Sequence, residues 1–130
     1  MKYIKNTPLL GREDESITLA DKEGEEPTPL TPLRLFRTAG LTYPGKDNAD
    51  YRPINALLDS LNTQEDAKIL EIENEWWNHL KDHIDRSLAR IWGAHCNAIW
   101  DELEERFESE RVKRAEKDQS KGAKGPGKKK

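Results

Sequence analysis

The longest apolar pattern in the chain runs from Trp77 to Phe107 and constrains the fold more than any other feature. Apolar residues recur there every three or four positions, which is the period of an amphipathic helix. The first set occupies one helical face and consists of Trp77, Leu80, Ile84, Leu88 and Ile91. The second set lies on a rotated face and consists of Trp92, His95, Cys96, Ile99, Leu103 and Phe107.

The change of face between the two sets leaves two alternatives. One long helix could cover residues 75–117, or two helices could meet within residues 86–93. Gly93 weakens a helix by up to about 1 kcal/mol. A lone long helix would also expose Trp92 and Trp100. We therefore favour two helices packed against each other.

Shorter patterns predict two helices and a strand before this region. Thr31 is placed to cap a helix that ends near Gly40. Pro32 suits its first position, because the first turn of a helix leaves its N–H groups without intrahelical partners and proline has no N–H. Apolar spacing predicts a second helix over Tyr51–Leu61, for which Asp50 is the candidate cap. Alternation over residues 68–73 (KILEIE) predicts a strand, and Asn74 is the candidate cap of the helix that follows.

The N-terminal residues predict a β-hairpin. Apolar residues at positions 3–10 and the alternating segment Ser16–Ala20 form two candidate strands, joined by the polar turn Gly11–Asp14. The charged segment Asp21–Glu26 would close the hairpin. Because an isolated hairpin is marginally stable in water, it has to pack on the helices.

These elements together predict a small α+β domain. It combines an N-terminal hairpin and one further strand with three to four helices, and 130 residues leave room for one such domain. We place the domain at residues 1–110. Residues 111–130 follow it as a basic helical spur, Arg111–Asp118, and a tail, Gln119–Lys130, whose glycines and proline predict disorder.

Charge is divided unevenly between these two parts. Residues 1–110 carry 13 Lys+Arg against 23 Asp+Glu, a balance of −10, whereas residues 111–130 carry nine against two, a balance of +7. The basic part could neutralise phosphates in a salt-dependent and sequence-independent way. It lacks interleaved aromatic residues on which bases could stack. The candidate polyanion-binding residues are Lys113, Arg114, Lys117, Lys121, Lys124, Lys128, Lys129 and Lys130.

Tryptophan is the strongest signal of a protein interface. All four tryptophans lie within residues 76–100, and Trp76 and Trp77 are adjacent, so a helix cannot direct both into one core. Tryptophan is favoured as an interface anchor because it combines a large apolar area with a polar N–H. The predicted anchors are Trp76, Trp77, Trp92, Trp100 and Phe107.

Histidine spacing raises the possibility of a metal site. His79 and His83 stand four positions apart, so both could face one ion, and His95 and Cys96 could add ligands from a neighbouring helix. The HExxH order and paired cysteines are absent, however, and surface histidines beside an apolar seam explain the spacing equally well. The sequence predicts no metal and no cofactor.

Catalytic motifs are also lacking. The chain has no GxSxG, P-loop or GxGxxG pattern. Cys96 follows His95 directly, and adjacent helical side chains diverge by about 100°, so the two do not pair. The remaining carboxylates surround a helix surface and predict solvation rather than catalysis: Asp101, Glu102, Glu104, Glu105 and Glu108. We expect a protein that is not an enzyme.

The predicted location is the cytoplasm or a virion. No run approaches the roughly 20 apolar residues of a membrane span. The N-terminal residues lack the apolar core of a signal peptide. A single cysteine, Cys96, agrees with a reducing compartment.

The order of the elements resembles short accessory proteins encoded by tailed bacteriophages and prophages. The matching pieces lie between about residues 28 and 103, and they are Thr28–Leu33 (TPLTPL), Tyr51–Leu61, Lys68–Glu73 and Trp77–Ile84. The chain departs from that pattern in its proline-interrupted first helix, its tryptophan-rich end and its basic tail. The resemblance implies a phage accessory protein and transfers no functional residues.

The sequence therefore predicts a non-enzymatic adaptor that binds a protein partner, either a phage assembly component or a host factor that it modulates. The alternative is a nucleic-acid-associated protein whose basic tail contacts phosphates. A third prediction, a virion structural role, requires stable self-association into a homo-oligomer.

Overall fold

The computed structural model describes residues 1–20 and 24–124, with side chains as far as Lys117. It confirms the α+β class. Four short strands and four helices follow in the order β1 (Lys2–Lys5), β2 (Thr18–Leu19), β3 (Thr28–Pro29), α1 (Pro32–Leu41), α2 (Tyr51–Thr63), β4 (Ile69–Ile72), α3 (Asn74–Trp92) and α4 (Cys96–Lys124).

The pairing of β1 corrects the predicted hairpin. Instead of pairing with Ser16–Ala20, β1 runs antiparallel to β4, with Ile4 opposite Leu70 and Lys2 opposite Ile72. This register puts Ile4, Leu70 and Ile72 on one face, where all three are buried. β1 pairs with the distant strand β4 because this pairing completes a continuous apolar face of the core.

An N-terminal hairpin is nevertheless present, with different strands. β2 pairs antiparallel with β3 through Thr18 opposite Pro29 and Leu19 opposite Thr28. The polar turn at 11–14 is closed by a single bridge between Leu10 and Ser16. Of the charged segment Asp21–Glu26, residues 21–23 lie outside the described residues.

The predicted starts of α1 and α2 are confirmed, but the predicted side-chain cap of α2 is wrong. Thr31 Oγ1 accepts from the Arg34 N–H at 3.4 Å at the start of α1, and Pro32 is the first helical residue. Asp50 does not cap α2. Its carboxylate accepts from the Lys46 N–H at 2.7 Å, because a 3-10 turn capped by Asp47 precedes the helix.

Two helices form the C-terminal region, as the change of apolar face predicted. α3 ends at Trp92, and Gly93 adopts a φ of +54°, which a residue with a Cβ rarely adopts. A 3-10 turn then leads into α4, and the two helices pack against each other. Asn74 is the first residue of α3, and Glu73 precedes it without a side-chain capping bond.

A single apolar core joins the sheet of β1 and β4 to all four helices. Its fully buried members come from every part of the chain and include Ile4, Leu9, Leu30, Phe36, Leu57, Leu61, Leu70, Ile84, Leu88 and Leu103. The helix α4 passes through residue 110 without a break and ends at Lys124. Residues 125–130 lie outside the described part of the chain, so disorder there stays a prediction.

Candidate functional site

A groove with a volume of about 830 Å³ lies between β1 and α4. Residues 1–3 form one wall, and the α4 segment 104–115 forms the other. Asn74 and Trp77 close it at the start of α3. We call it the β1–α4 groove.

The floor of the groove is aromatic. Trp77 and Phe107 line it, and their ring centroids lie 5.1 Å apart in an edge-to-face arrangement. Trp77 also stacks on Trp100, with ring centroids 5.5 Å apart, and makes an edge-to-face contact with Phe36, with centroids 6.1 Å apart. Offset and edge-to-face arrangements are the favourable geometries for such rings, so this aromatic cluster gives the groove a rigid apolar base.

The rim of the groove is cationic, and two of its cations lie over aromatic rings. The Arg114 guanidinium lies 3.4 Å from the centroid of the Tyr3 ring, and Lys2 Nζ lies 5.3 Å from that of Phe107. Each contact is a cation–π interaction that holds a positive charge in place. The strand β1 and the helix α4 thus meet across the groove.

The third cation, Arg111, is already occupied. It donates to the carboxylate of Glu108, one turn earlier on α4. This hydrogen bond lowers the pKa of Glu108 and raises the pKa of Arg111. Glu104 is the other carboxylate that lines the groove.

Arg106 anchors β1 to α4 and so fixes the width of the groove. Its Nη1 donates to the carbonyl oxygens of Lys5 (3.1 Å) and Thr7 (2.7 Å), and its Nη2 to that of Pro8 (3.0 Å). Its Nε donates to Glu102 at 2.7 Å. One side chain that is 14% exposed therefore satisfies three carbonyl groups just after the end of β1.

Two of the five predicted interface anchors lie in the core and at the floor of the groove. Trp77 and Phe107 are each only 8% exposed and belong to the core, because residues three or four apart on α3 and α4 face inward together. Trp100 is half-buried and stacks on Trp77. Trp76 and Trp92 are half-buried against the core. A partner role for all five stays a prediction.

The candidate polyanion-binding residues do not share one site. Arg114 lines the groove, while Lys113 lies on another side of α4 and contacts the buried Glu110, with Nζ and Oε2 3.4 Å apart. Lys117 is exposed. Lys121 and Lys124 lie within the helical backbone of α4, and Lys128–Lys130 lie beyond the described residues.

The two histidines of the candidate metal site bind protein groups instead. His79 Nε2 lies 3.0 Å from the carbonyl oxygen of Asp50, which can only accept, so Nε2 carries the proton. His83 Nε2 lies 3.0 Å from Thr42 Oγ1. The Tyr43 ring packs against both imidazoles, at 5.0 and 5.9 Å. The spacing of four positions therefore serves the contact between α3 and the segment after α1.

His95 and Cys96, the other candidate ligands, lie elsewhere. His95 Nδ1 accepts from the Arg12 N–H at 3.1 Å, and its Nε2 lies 3.2 Å from Glu15. The Cys96 thiol is half-buried. Across residues 1–20 and 24–117, no three His, Cys, Asp or Glu side chains converge as a metal site would require.

The environment of His83 predicts that acid destabilises the fold. Burial lowers the pKa of His83 below its ordinary value, and Arg86 and Arg90 lower it further. The unfolded chain therefore binds a proton before the native state does, so stability is lost as the pH falls below about 6.5. We expect a lower urea midpoint at pH 5.5 than at pH 7.5.

The variant His83→Gln removes the titrating group and keeps a donor for Thr42, so its midpoint should change less over the same range. The midpoint is measured by circular dichroism at each pH. An equal change in the variant and the wild type would show that other groups cause the dependence.

Sequence reasoning missed the contribution of Lys2 and Tyr3 to the site. Tyr3 is predicted in a local hairpin and Lys2 in no element, whereas the structure brings both to residues more than 100 positions away on α4. Arg114 was singled out for its charge alone, because no pattern in the sequence indicates the ring beneath it.

Comparison with known proteins indicates no relative. No protein-family model matches the chain, and no curated protein or solved structure matches it either. Within the described residues, none of the helices combines the length and apolar character needed to cross a bilayer.

Proposed function

We propose that the protein is a non-enzymatic adaptor that binds a protein partner in the β1–α4 groove. The observation that carries the proposal is the composition of this groove. An aromatic floor lies beneath cations that are held over rings, and protein interfaces favour aromatic and arginine side chains. Arg106 and the aromatic cluster hold both walls before any partner arrives, which reduces the entropy lost on binding.

The side chains of the groove support binding rather than covalent chemistry. Among the described residues that line it there is no serine, cysteine or histidine to act as nucleophile or base. The lining carboxylate Glu108 is held by Arg111. These groups are suited to recognising charge and shape.

The biological setting of the adaptor is proposed from the resemblance to tailed-phage accessory proteins. The partner would then be a phage assembly component or a host protein, met in the host cytoplasm or in the virion. A gene neighbourhood among head and tail genes would favour assembly, and one among early genes would favour host modulation.

Site-specific photocrosslinking tests the proposal. A benzoylphenylalanine introduced at Glu104, which lines the groove, should give an adduct in cells that express the native protein. The same group at Lys81, which is exposed on α3 outside the groove, is the control. We expect a protease-sensitive adduct from position 104 that falls at least about tenfold when Arg114→Glu is added. Equal adducts from both positions, or an adduct digested only by nuclease, would contradict the proposal.

The nucleic-acid alternative has one structural observation in its favour. Arg114, Lys117, Lys121 and Lys124 are spaced by three, four and three residues on the continuous helix α4, so their positions share one side. Phosphate contacts along such a helix would be sensitive to salt. A full-length variant with glutamine at Lys121, Lys124 and Lys128–Lys130 should then lose salt-sensitive binding to labelled oligothymidine. Unchanged binding would remove this alternative.

A further inference from the structure

We infer that the β1–α4 groove accepts an acidic peptide segment in which one large apolar or aromatic side chain is flanked by carboxylates. This inference rests on the proposed adaptor function and specifies the chemistry of the partner. It follows from three properties of the groove, namely the placement of Arg114, the charge balance and the floor.

The first property is the guanidinium of Arg114, which the ring of Tyr3 holds in place. Its central carbon lies 3.4 Å from the centroid of that ring, and this cation–π contact restrains the side chain. Among the described residues, none accepts a hydrogen bond from Arg114. A planar fork of fixed N–H donors matches the two oxygens of a carboxylate. Lys2, held over Phe107, provides a second positive charge on the same rim.

The second property is the charge balance, which distinguishes a peptide from a polynucleotide. The charged side chains that line the groove are three cations, Lys2, Arg111 and Arg114, and two carboxylates, Glu104 and Glu108. Lys2 and Arg111 both act on Glu108, so the cation of the rim best placed to pair with a carboxylate of the segment is Arg114. A polynucleotide carries one negative charge per nucleotide. Residues 1–110 have a net charge of −10, so they would repel it.

The rings also argue against nucleic acid in this groove. Bases stack on open aromatic faces. Arg114 already covers a face of Tyr3, Lys2 lies over Phe107, and Trp77 is 8% exposed because Trp100 and Phe107 pack on it. What the floor offers is a shallow apolar base, which suits the side chain of a peptide anchor.

The experiment measures binding of defined peptides to the full-length protein by fluorescence anisotropy in 150 mM salt, where charges beyond about 8 Å are screened. The probe is a labelled nine-residue glycine–serine peptide with Glu-Trp-Glu at its centre. One control peptide has Glu-Ala-Glu there, a second has Gln-Trp-Gln, and a nine-nucleotide oligothymidine represents nucleic acid. We expect the probe to bind at least about tenfold more tightly than each of the three controls.

Variants assign the binding to the groove. Arg114→Gln retains much of the side chain and removes the charge, and it should weaken the probe at least about tenfold, which corresponds to the loss of one good charged hydrogen-bonding pair. Lys81→Glu changes the net charge outside the groove and should leave the affinity unchanged. Melting curves confirm that each variant is folded.

The outcomes separate this inference from the function on which it rests. Equal binding of the Glu-Ala-Glu peptide, or tighter binding of oligothymidine, would overturn the proposed peptide chemistry. Probe binding that Arg114→Gln leaves unchanged would overturn its assignment to the groove. If position 104 crosslinks to a protein while the probe fails to bind, the adaptor function stands and the acidic-peptide inference fails.

Discussion

Replacing Trp77 by alanine is expected to lower the free energy of unfolding by about 3–5 kcal/mol, the usual cost of removing a buried large aromatic side chain. Trp77 contacts Phe36, Trp100 and Phe107, so its loss opens a cavity in the middle of the aromatic cluster. Domains of this size are stable by only about 5–15 kcal/mol. We therefore expect Trp77→Ala to be partly unfolded at 37 °C, as measured by urea denaturation followed by circular dichroism.

Trp92→Ala is the matched control. Trp92 is half-buried at the end of α3 and lies outside the aromatic cluster, so its replacement should cost only about 1–2 kcal/mol. If Trp77→Ala were as stable as Trp92→Ala, the assignment of Trp77 to the core would be wrong.

Replacing Arg106 by alanine is expected to cost about 2–4 kcal/mol. Hydrogen bonds from a charged donor contribute about 1.5–3 kcal/mol, and removing the donor leaves carbonyl groups without their partner. Those carbonyls belong to Lys5, Thr7 and Pro8, so β1 should detach from α4 before the remainder of the fold melts. Hydrogen exchange should show early loss of protection at residues 2–5.

Arg37→Ala controls for the loss of an arginine. Arg37 pairs with Glu65 on the surface through a single 3.0 Å contact, and such pairs contribute about 0–1 kcal/mol. Uniform loss of protection in Arg106→Ala, or a cost no larger than that of Arg37→Ala, would show that Arg106 does not hold β1.

Local patterns in the sequence predicted much of the fold. The cap at Thr31, the strand at Ile69–Ile72 and the break near Gly93 depend on residues close to one another, and all three are confirmed. The cap at Asp50 was wrong because its carboxylate accepts from the Lys46 N–H, ahead of a 3-10 turn that precedes the helix. Such a turn has no apolar periodicity to reveal it.

The candidate site could not be predicted because it depends on long-range contacts. Pairing of β1 with β4 carries Lys2 and Tyr3 to α4, and a strand's partner is decided by which face of the core it completes. The tryptophans were predicted at an interface because neighbouring residues on a helix diverge. That argument holds for Trp76 and Trp77 as a pair, but it does not determine which of the two is buried.

The position of the partner is tested most directly by amide chemical shifts. The labelled full-length protein is titrated with the Glu-Trp-Glu peptide and followed by two-dimensional NMR. The account predicts that the largest changes occur at Lys2, Tyr3, Phe107, Arg111 and Arg114, which line the β1–α4 groove. Changes concentrated around Trp92, or along residues 118–130 with the groove unaffected, would contradict it.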